Sequence, residues 1–338
     1  MILVTGATGM LGAHLLFDLA NKGLKVRALK RSESNLAIVK RIFSYYHPNP
    51  DEIFAKIEWF EADMMDEERI NQSMQGIEKV YHVAAMVSFN PRDKIKMINN
   101  NVKGTANVVN AALEHGVTKL CHVSSISALG SNDKGEEITE DSFRNPKGRY
   151  SGYSLSKFYS ELEVWRGITE GLNAVIINPS IVLGPGDWKN GSPGIFSTIN
   201  KGMKFYTEGV TGYVDVLDVI KSMTQIMDSN IVNERFIISA ENLSFKTVFS
   251  KIADALNVEK PKIRASSGML AMAWRLAYLK SMLTAKPPLL TKDTAHSALK
   301  VNLFSSKKIV DTINLRFLPI EKSITRIAEI FKKDMESN

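Results

Sequence analysis

A tyrosine and a lysine four residues apart, Tyr153 and Lys157, form the only YxxxK spacing in this 338-residue chain. On a helix, residues four apart lie on the same face, so the phenol and the ammonium would be neighbours. A free tyrosine has a pKa of about 10, and a nearby cation favours its phenolate. The spacing therefore predicts a pair that gives and takes a proton near neutral pH.

A serine-rich segment, Ser124-Ser-Ile-Ser-Ala-Leu-Gly130, follows an apolar run and supplies hydroxyl groups. The Ser125 hydroxyl could donate to a substrate oxygen and stabilise negative charge that develops there. Ser127 would share the face of Ser125 on an extended strand and is a candidate to line the same pocket. For both residues the alternative is a strand-end hydroxyl that only satisfies backbone groups.

Three glycines, Gly6, Gly9 and Gly12, follow the apolar run Ile2 to Thr5 and open an amphipathic helix. A tight turn at this position lets backbone N–H groups and the positive end of the helix meet a pyrophosphate. The pattern predicts a nucleotide-binding loop, although turn glycines alone are common. Its GxxGxxG spacing is one residue wider in the first gap than the form found in many dinucleotide folds.

Short apolar runs alternate with helical patterns along the first half of the chain, which predicts βαβ units in a parallel sheet. We expect an α/β fold of the Rossmann type, with a doubly wound parallel sheet and a smaller, mostly helical C-terminal substrate lobe. The dinucleotide-binding domain is predicted over 1–180, with 212–240 returning to it. The substrate lobe is predicted over 181–211 and 241–338. The predicted strands are Ile2–Thr5, Lys25–Leu29, Ile57–Glu61, Val80–Val83, Leu120–Ser124 and Ala174–Ile177, and the predicted helices are Leu11–Lys22, Glu67–Met74, Asn101–His115 and Ser154–Thr169.

The composition, with 44% hydrophobic and 23% charged residues, is that of a soluble globular protein. One cysteine, Cys121, excludes a disulfide framework, and no cluster of metal ligands is predicted. We expect a cytoplasmic protein, because the sequence has neither a transmembrane run nor a basic leader. The net charge of +7 is uneven: residues 260–308 carry ten Lys or Arg and one acid, or +9, and the rest carries −2. No nucleic-acid motif accompanies these charges, so nucleic acid is not an expected partner.

Several ordered motifs resemble the extended type of the short-chain dehydrogenase/reductase superfamily, the NAD-dependent epimerase/dehydratase family. Its dihydroflavonol-reductase and 3β-hydroxysteroid-dehydrogenase branches are the most similar. Besides the glycine loop, the serine segment and YxxxK, the matching motifs are Asp63-Met64, Val83-Ala84-Ala85, Asn101-Val-Lys-Gly-Thr-Ala-Asn-Val-Val, Asn178-Pro-Ser-Ile-Val-Leu-Gly-Pro-Gly-Asp187 and Tyr213-Val-Asp-Val-Leu-Asp218.

The resemblance implies a role for each matching residue. Ser125, Tyr153, Lys157 and Asn101 would be catalytic, and Ser125, Ser127 and Tyr153 would contact substrate. Asn101 would help to anchor a proton-relay water beside Lys157; the alternative is an ordinary N-cap. The implied cofactor-binding residues are Gly6, Thr8, Gly9, Met10, Leu11, Gly12, Asp63, Met64, Ala84, Ala85, Tyr153, Lys157 and Pro179.

The choice of cofactor should be determined at the end of the second strand, where an acidic side chain binds a ribose diol but repels a 2′-phosphate. The sequence there is Leu29-Lys30-Arg31-Ser32, with no acid before Glu33. Lys30 and Arg31 therefore favour NADP(H), with NAD(H) as the alternative. The two cations could also belong to a solvated basic turn.

These residues predict an enzyme, an NADP(H)-dependent oxidoreductase that interconverts a carbonyl and a secondary alcohol on a small apolar substrate. One alternative is an NAD-dependent nucleotide-sugar epimerase or dehydratase. That reading is weakened because Asn178 and Leu183 stand where such enzymes usually carry an arginine and an aromatic residue. A second alternative is a redox sensor that binds NAD(P) without turnover, which would not need the Ser, Tyr and Lys set. A homodimer is one possible assembly.

The segment from Gly268 to Leu283 carries large apolar side chains around most of a helix. We expect it to pack in the core or as a lid over the substrate. A peripheral membrane contact through the basic region 260–292 is the alternative, since the helix is too short to span a bilayer.

Overall fold

The computed structural model describes residues 1–88, 90–130, 135–284 and 290–336, and the side chains of 280 and 282–284 lie outside the description. The strands are β1 (Ile2–Thr5), β2 (Val26–Lys30), β3 (Ile57–Glu61), β4 (Lys79–His82), β5 (Lys119–Val123), β6 (Ala174–Pro179), β7 (Ile181–Leu183), β8 (Phe205–Tyr206), β9 (Val210–Asp215), β10 (Glu234–Ile238), β11 (Glu241–Ser244) and β12 (Ile263–Arg264). The α-helices are α1 (Met10–Asn21), α2 (Leu36–Ser44), α3 (Pro50–Phe54), α4 (Glu67–Ser73), α5 (Lys94–Glu114), α6 (Gly152–Thr169), α7 (Pro193–Asn200), α8 (Val216–Asp228), α9 (Phe245–Leu256), α10 (Ser267–Thr284), α11 (Lys292–Ser297), α12 (Lys307–Ile313) and α13 (Ile320–Glu336).

Seven strands of the described chain form one sheet in the order β10-β6-β5-β4-β1-β2-β3, and all its neighbouring pairs are parallel. The predicted doubly wound parallel sheet is therefore confirmed. The direction of winding reverses between β1 and β4, which is the switch point where ligands bind in such sheets. The glycine loop follows β1, so it lies at the carboxyl edge of this crevice.

Hydrophobic side chains of the sheet alternate between two layers of helices. Leu3 points to one core and Val4 to the other, and Leu29 and Ala28 divide in the same way. One core includes side chains of α1 and α8, and the other includes side chains of α5 and α6. Burial on both faces explains the nearly continuous apolar runs of the strands. Cys121 is fully buried in β5 without a disulfide, as expected of a small strand residue.

The smaller lobe contains a three-stranded sheet in the order β11-β9-β7 and a short ribbon of β8 and β12. Its own core joins Trp188, Phe196, Ile252 and Phe331. Helices α7, α9 and α13 supply most of this packing, which confirms the helical character predicted for the C-terminal region.

Helix α10 corrects the expectation that core packing covers the apolar segment. Met272, Leu276 and Leu279 are 62%, 59% and 56% exposed. Trp274 is partly exposed on the opposite side, and Ser281 there is buried. The helix therefore packs through one side and presents an apolar side to solvent. None of the helices in the described ranges has the length and hydropathy needed to cross a membrane.

Candidate active site

The predicted Ser125, Tyr153 and Lys157 are brought together beyond the carboxyl end of β5. The side chains of Tyr153 and Ser125 are hydrogen-bonded. The Lys157 ammonium donates to the carbonyl oxygen of Val123 at 2.9 Å, which ties it to the last residue of β5. Helix α6 begins at Gly152, with Ser151 accepting from the N–H of Ser154 as its N-cap. This cap fixes the first turn of the helix, on which Tyr153 lies.

Burial moves the pKa values of the tyrosine and the lysine in opposite directions. It raises the pKa of Tyr153, an effect that the hydrogen bond with Ser125 opposes. It lowers the pKa of Lys157 to about 8, an effect that the Glu161 carboxylate opposes. A lysine with this pKa gains and loses its proton within the physiological range, as a group that assists proton transfer requires.

The serine segment departs from the predicted strand alternation because β5 ends at Val123 and a 3₁₀ turn follows over Ile126–Ala128. Ser125 caps this turn, its hydroxyl oxygen accepting from the N–H of Ser127 at 3.1 Å. Alternation of side chains along a strand therefore gives no information on the direction of Ser127. The Ser127 carbonyl accepts from the Ser154 hydroxyl at 2.7 Å. That bond holds the turn against the first turn of α6.

Arg144, which the sequence analysis did not single out, strengthens the same junction. Its guanidinium donates to the carbonyl of Ala128 at 2.9 Å and to the Ser154 hydroxyl at 3.0 Å. It also lies 3.7 Å from the ring centroid of Tyr150. No spacing in the sequence relates Arg144 to the serine segment, because its partners there are backbone carbonyls that the fold brings close.

Asn101 lies in the middle of α5, so the alternative of an N-cap is wrong. Its amide pairs with the backbone of Met86, accepting from the N–H at 2.7 Å and donating to the carbonyl at 2.9 Å. The amide nitrogen also lies 3.1 Å from the Ser156 hydroxyl oxygen. Asn101 thus joins the segment after β4 to the helix that carries Tyr153 and Lys157.

A buried polar network behind the serine was not foreseen. The side-chain amide of Asn178 donates to the carbonyl of Ser125 at 2.9 Å and to the carboxylate of Glu161 at 2.5 Å. Arg235 of β10 pairs with the other oxygen of Glu161 at 3.1 Å. Asn178 and Glu161 are both almost completely buried. Glu161 follows Lys157 by four residues, so the helical spacing that identified Tyr153 and Lys157 would also have found it.

The glycine loop leaves no room for side chains at two positions. A Cβ at Gly12 would lie 2.1 Å from the carbonyl oxygen of Gly6, and Gly6 itself has a positive φ of 65°. A Cβ at Gly9 would meet nothing closer than 3.4 Å, so this glycine faces open space. Gly9 is the N-cap residue of α1, and its neighbours Thr8, Met10 and Leu11 complete the turn. The open helix end suits a pyrophosphate.

Two further segments of the chain lie next to this loop and α1. Ala84, which precedes Ala85 after β4, donates its N–H to the Thr5 hydroxyl at 3.1 Å. The segment after β7 lies against α1, where a Cβ at Gly186 would be 3.1 Å from the Met10 side chain. Pro179 ends β6 and is buried. The predicted cofactor residues at 84, 85 and 179 therefore all follow or end central strands.

A pocket of about 260 Å³ lies beyond the ends of β2 and β3. Met64, which follows Asp63, packs against Gly104, where a Cβ would be 3.0 Å from that of Met64. Lys30 pairs with Glu61 at 3.0 Å and does not line the pocket. The lining residues are Arg31, Ser32, Glu33, Glu61, Ala62, Asp63, Asp66 and Arg69.

The pocket therefore brings together the predicted Arg31 and Asp63 and adds Arg69, which the sequence analysis missed. Arg31 is exposed and lies 3.2 Å from Glu33. Arg69 donates to the carbonyl of Glu61 at 2.9 Å. The position of Arg69 on its helix did not predict this role, because the path of the chain after β3 brings Arg69 close to the residues that follow β2.

Two histidines lie side by side in the sheet beneath Lys157. His82 contacts the hydroxyls of Thr5 and Thr105 at 2.8 and 3.0 Å, and burial lowers its pKa to about 3. The ring nitrogens of His122 have no hydrogen-bond partner among the described residues, and burial lowers its pKa as well. Both rings are therefore neutral, so they add no positive charge beside the Lys157 ammonium. The described residues hold no cluster of side chains that suits a metal ion.

The glycine loop at the switch point and Ser125, Tyr153 and Lys157 beside it are the arrangement expected of a Rossmann-type NAD(P)-dependent enzyme. Residues 2–238 match the model of the NAD dependent epimerase/dehydratase family. The chain belongs to this family, whose members are short-chain dehydrogenases/reductases of the extended type. The family predicted from the sequence is therefore confirmed.

Similar proteins include both reductases and epimerases. Sterol demethylase protein B of Methylococcus capsulatus is 29% identical over 77% of this chain and 76% of its own length. A putative dihydroflavonol 4-reductase of Synechocystis is 29% identical over 77% of this chain and 73% of its own. The crystal structure of gox2253 superimposes with a TM-score of 0.81, 27% identity and coverage of 99% and 98% of the two chains. The UDP-glucose 4-epimerase of Thermotoga maritima has a TM-score of 0.77 at 20% identity, over 99% of both chains, which is a likeness of fold.

Proposed function

We propose that this protein is an NADP(H)-dependent oxidoreductase that interconverts a carbonyl and a secondary alcohol on a small, apolar substrate. The observation that carries the proposal is the hydrogen bond between Ser125 and Tyr153, with Lys157 one helical turn further on the same helix. The set lies at the edge of the sheet where the glycine loop also ends. A carbonyl placed there would meet two hydroxyl donors.

In the reducing direction, Ser125 and Tyr153 would hold the carbonyl oxygen, and Tyr153 would give it a proton as negative charge develops. The Lys157 ammonium would favour the resulting phenolate. Asn101 would hold the segment at Met86 and the turn of α6 in place while serving the proton relay. A bound nicotinamide would supply the hydride in this direction and accept it in the reverse.

The residues at the switch point fit a dinucleotide cofactor. The open N-terminal end of α1 at Gly9 suits its pyrophosphate, and the pocket at Asp63 suits its adenosine. Arg31 and Arg69 offer two guanidinium groups on that pocket, which supports a 2′-phosphate and hence NADP(H). NAD(H) is the alternative, because Glu33 lies beside Arg31.

An apolar substrate is supported by the character of the relatives and by Asn178. The similar proteins include several that are reductases by name, among them a putative dihydroflavonol 4-reductase of Synechocystis and an anthocyanidin reductase of Arabidopsis thaliana. Asn178 is a buried, neutral amide bonded to Ser125 and Glu161, so it does not offer the positive charge that an arginine at this position would offer a nucleotide diphosphate. The nucleotide-sugar epimerase or dehydratase remains the second candidate, favoured by the fold of the solved epimerases.

The experiment that tests the function combines mass spectrometry of ligands that co-purify with the protein and a substrate screen. NADPH oxidation is followed spectroscopically with a panel of apolar ketones and aldehydes, and nucleotide sugars serve as the comparison panel. We expect turnover with apolar carbonyls and none with nucleotide sugars. Tightly bound NAD together with a nucleotide sugar would favour the epimerase or dehydratase instead.

A further inference from the structure

The exposed side of α10 carries a continuous apolar stripe, which we call the α10 face: Met269, Met272, Leu276 and Leu279. Their spacing of three and four residues places them on one side of the helix. These side chains are 38–62% exposed. Surface helices usually present charged and polar side chains to solvent, whereas this side of α10 presents apolar ones.

Exposed apolar side chains also lie on the ribbon that precedes α10 in the chain. Phe205 of β8 and Ile263 of β12 are cross-strand partners, and they are 45% and 44% exposed. Two residues, Ala265 and Ser266, separate the end of this ribbon at Arg264 from the first residue of α10 at Ser267. Clusters of exposed apolar side chains, such as the stripe on α10, are typical of interaction sites.

The charge of the surrounding chain distinguishes between possible occupants of this face. Residues 260–308 carry ten basic residues and one acid, Asp293, whereas the rest of the chain is slightly acidic. Lys260, Lys262 and Arg264 pair with acidic neighbours, but these pairs are exposed and therefore weak. A second copy of the chain would bring two strongly basic segments together, which repel. An anionic bilayer has an apolar interior and a negatively charged surface. It therefore complements both the apolar α10 face and the basic charge of residues 260–308.

We propose that the α10 face docks this protein on the surface of an anionic lipid bilayer. The helix would lie in the plane of the interface, with Met272, Leu276 and Leu279 among the acyl chains and Arg275 at the level of the phosphates. Because α10 does not meet the requirements for a membrane span, the attachment is peripheral and reversible. The docking does not depend on which substrate the active site takes.

Co-sedimentation with vesicles tests this inference. The full chain is mixed with vesicles of equal parts phosphatidylcholine and phosphatidylglycerol or with phosphatidylcholine alone. We expect binding to the anionic vesicles, weakened when salt rises from about 0.1 M to about 0.5 M because screening shortens the range of charge attraction. Met272→Ser/Leu276→Ser should lower the partition coefficient by about 10². The control, Leu24→Ser/Met335→Ser, removes one leucine and one methionine elsewhere that are 42% and 44% exposed, and it should bind as the wild type does.

Circular dichroism tests whether the variants are folded, and sedimentation velocity measures the oligomeric state. Both double variants should melt near the wild-type temperature, because the altered side chains are exposed. The inference is overturned if the wild type ignores anionic vesicles, if it binds neutral vesicles equally well, or if the α10 variant binds undiminished. It is also overturned if the wild type is a dimer that the α10 variant converts to a monomer, since a second copy would then cover the face.

Discussion

Glu161 accepts a hydrogen bond from Asn178 at 2.5 Å, and the same amide holds the carbonyl of Ser125 at 2.9 Å. One carboxylate is thereby connected to two members of the proposed catalytic set. Through Asn178 it holds the backbone of Ser125, and through its charge it raises the pKa of Lys157 against the effect of burial. Glu161 is a positioning residue, because it reaches the reacting groups through others.

Removing the charge of Glu161 should change the pH profile of the enzyme. In the wild type the pKa of Lys157 is about 8, so the ammonium and the activity that depends on it should be lost as pH rises through that value. Glu161→Gln takes away the opposing negative charge. The pKa of Lys157 should then fall further, and the alkaline limb of kcat/KM should move to lower pH.

The control for this shift is Glu163→Gln, which removes an acid on the same helix that pairs with Arg166 away from Lys157. Its alkaline limb should coincide with that of the wild type. Partial unfolding of Glu161→Gln would lower the height of the profile without moving its limb, so the two effects separate. An unmoved limb in Glu161→Gln would show that the carboxylate does not sustain the charge of Lys157.

Tyr153→Phe should remove the proton donor and leave the rest of the site in place. The lost hydroxyl is hydrogen-bonded to Ser125, so turnover should fall by about 10² or more, the scale for loss of a positioned acid. Cofactor affinity, measured by fluorescence titration, should stay close to that of the wild type. Tyr159→Phe, an exposed position on the same helix, should retain full turnover. Turnover of Tyr153→Phe within threefold of the wild type would remove Tyr153 from the mechanism.

The sequence predicted the larger sheet well because burial on both faces requires a pattern that is visible in the residues themselves. Strands at Ile2–Thr5 and Ile57–Glu61 were predicted to the residue and four others of this sheet within about two residues, whereas β10 was not predicted as a strand. Helix α5 was predicted from Asn101 but begins seven residues earlier, at Lys94. The alternative of Asn101 as an N-cap depended on that predicted start and on the run of asparagines from Asn99 to Asn101.

The site was predicted where neighbours in space are also at a regular spacing in sequence. Tyr153 and Lys157 lie on one helix, and Gly6 and Gly12 lie in one loop. The partners of Arg144 and Arg235 lie on other elements of the fold, so no local sequence pattern predicts their contacts. The exposure of α10 could not be predicted either, because the same apolar pattern occurs in helices of a core and in helices at a surface.

Arg31→Asp should change the order of cofactor preference. Arg31 is an exposed guanidinium on the pocket beyond β2, and a charge-assisted contact with a 2′-phosphate contributes about 1.5 to 3 kcal/mol. The variant should therefore bind NADPH roughly 10- to 100-fold more weakly, while its affinity for NADH is kept or improved. Calorimetric titration of both cofactors measures this. Lys22→Asp, the same charge reversal at the far end of α1, should leave both affinities unchanged, and equal affinity of the wild type for NADPH and NADH would contradict the NADP(H) assignment.

Two glycine-to-alanine substitutions in the glycine loop should separate an effect on stability from an effect on cofactor binding. In Gly12→Ala the added Cβ would lie 2.1 Å from the carbonyl oxygen of Gly6, so β1 and α1 could not keep their packing and the melting temperature should drop sharply. In Gly9→Ala the added Cβ would meet nothing closer than 3.4 Å, so the melting temperature should stay near that of the wild type. The same methyl group would occupy the space where we expect the pyrophosphate to approach, and Gly9→Ala should weaken cofactor binding by about tenfold or more. Thermal melting and fluorescence titration of the two variants measure both effects, and a Gly9→Ala protein that binds the cofactor normally would place the pyrophosphate elsewhere.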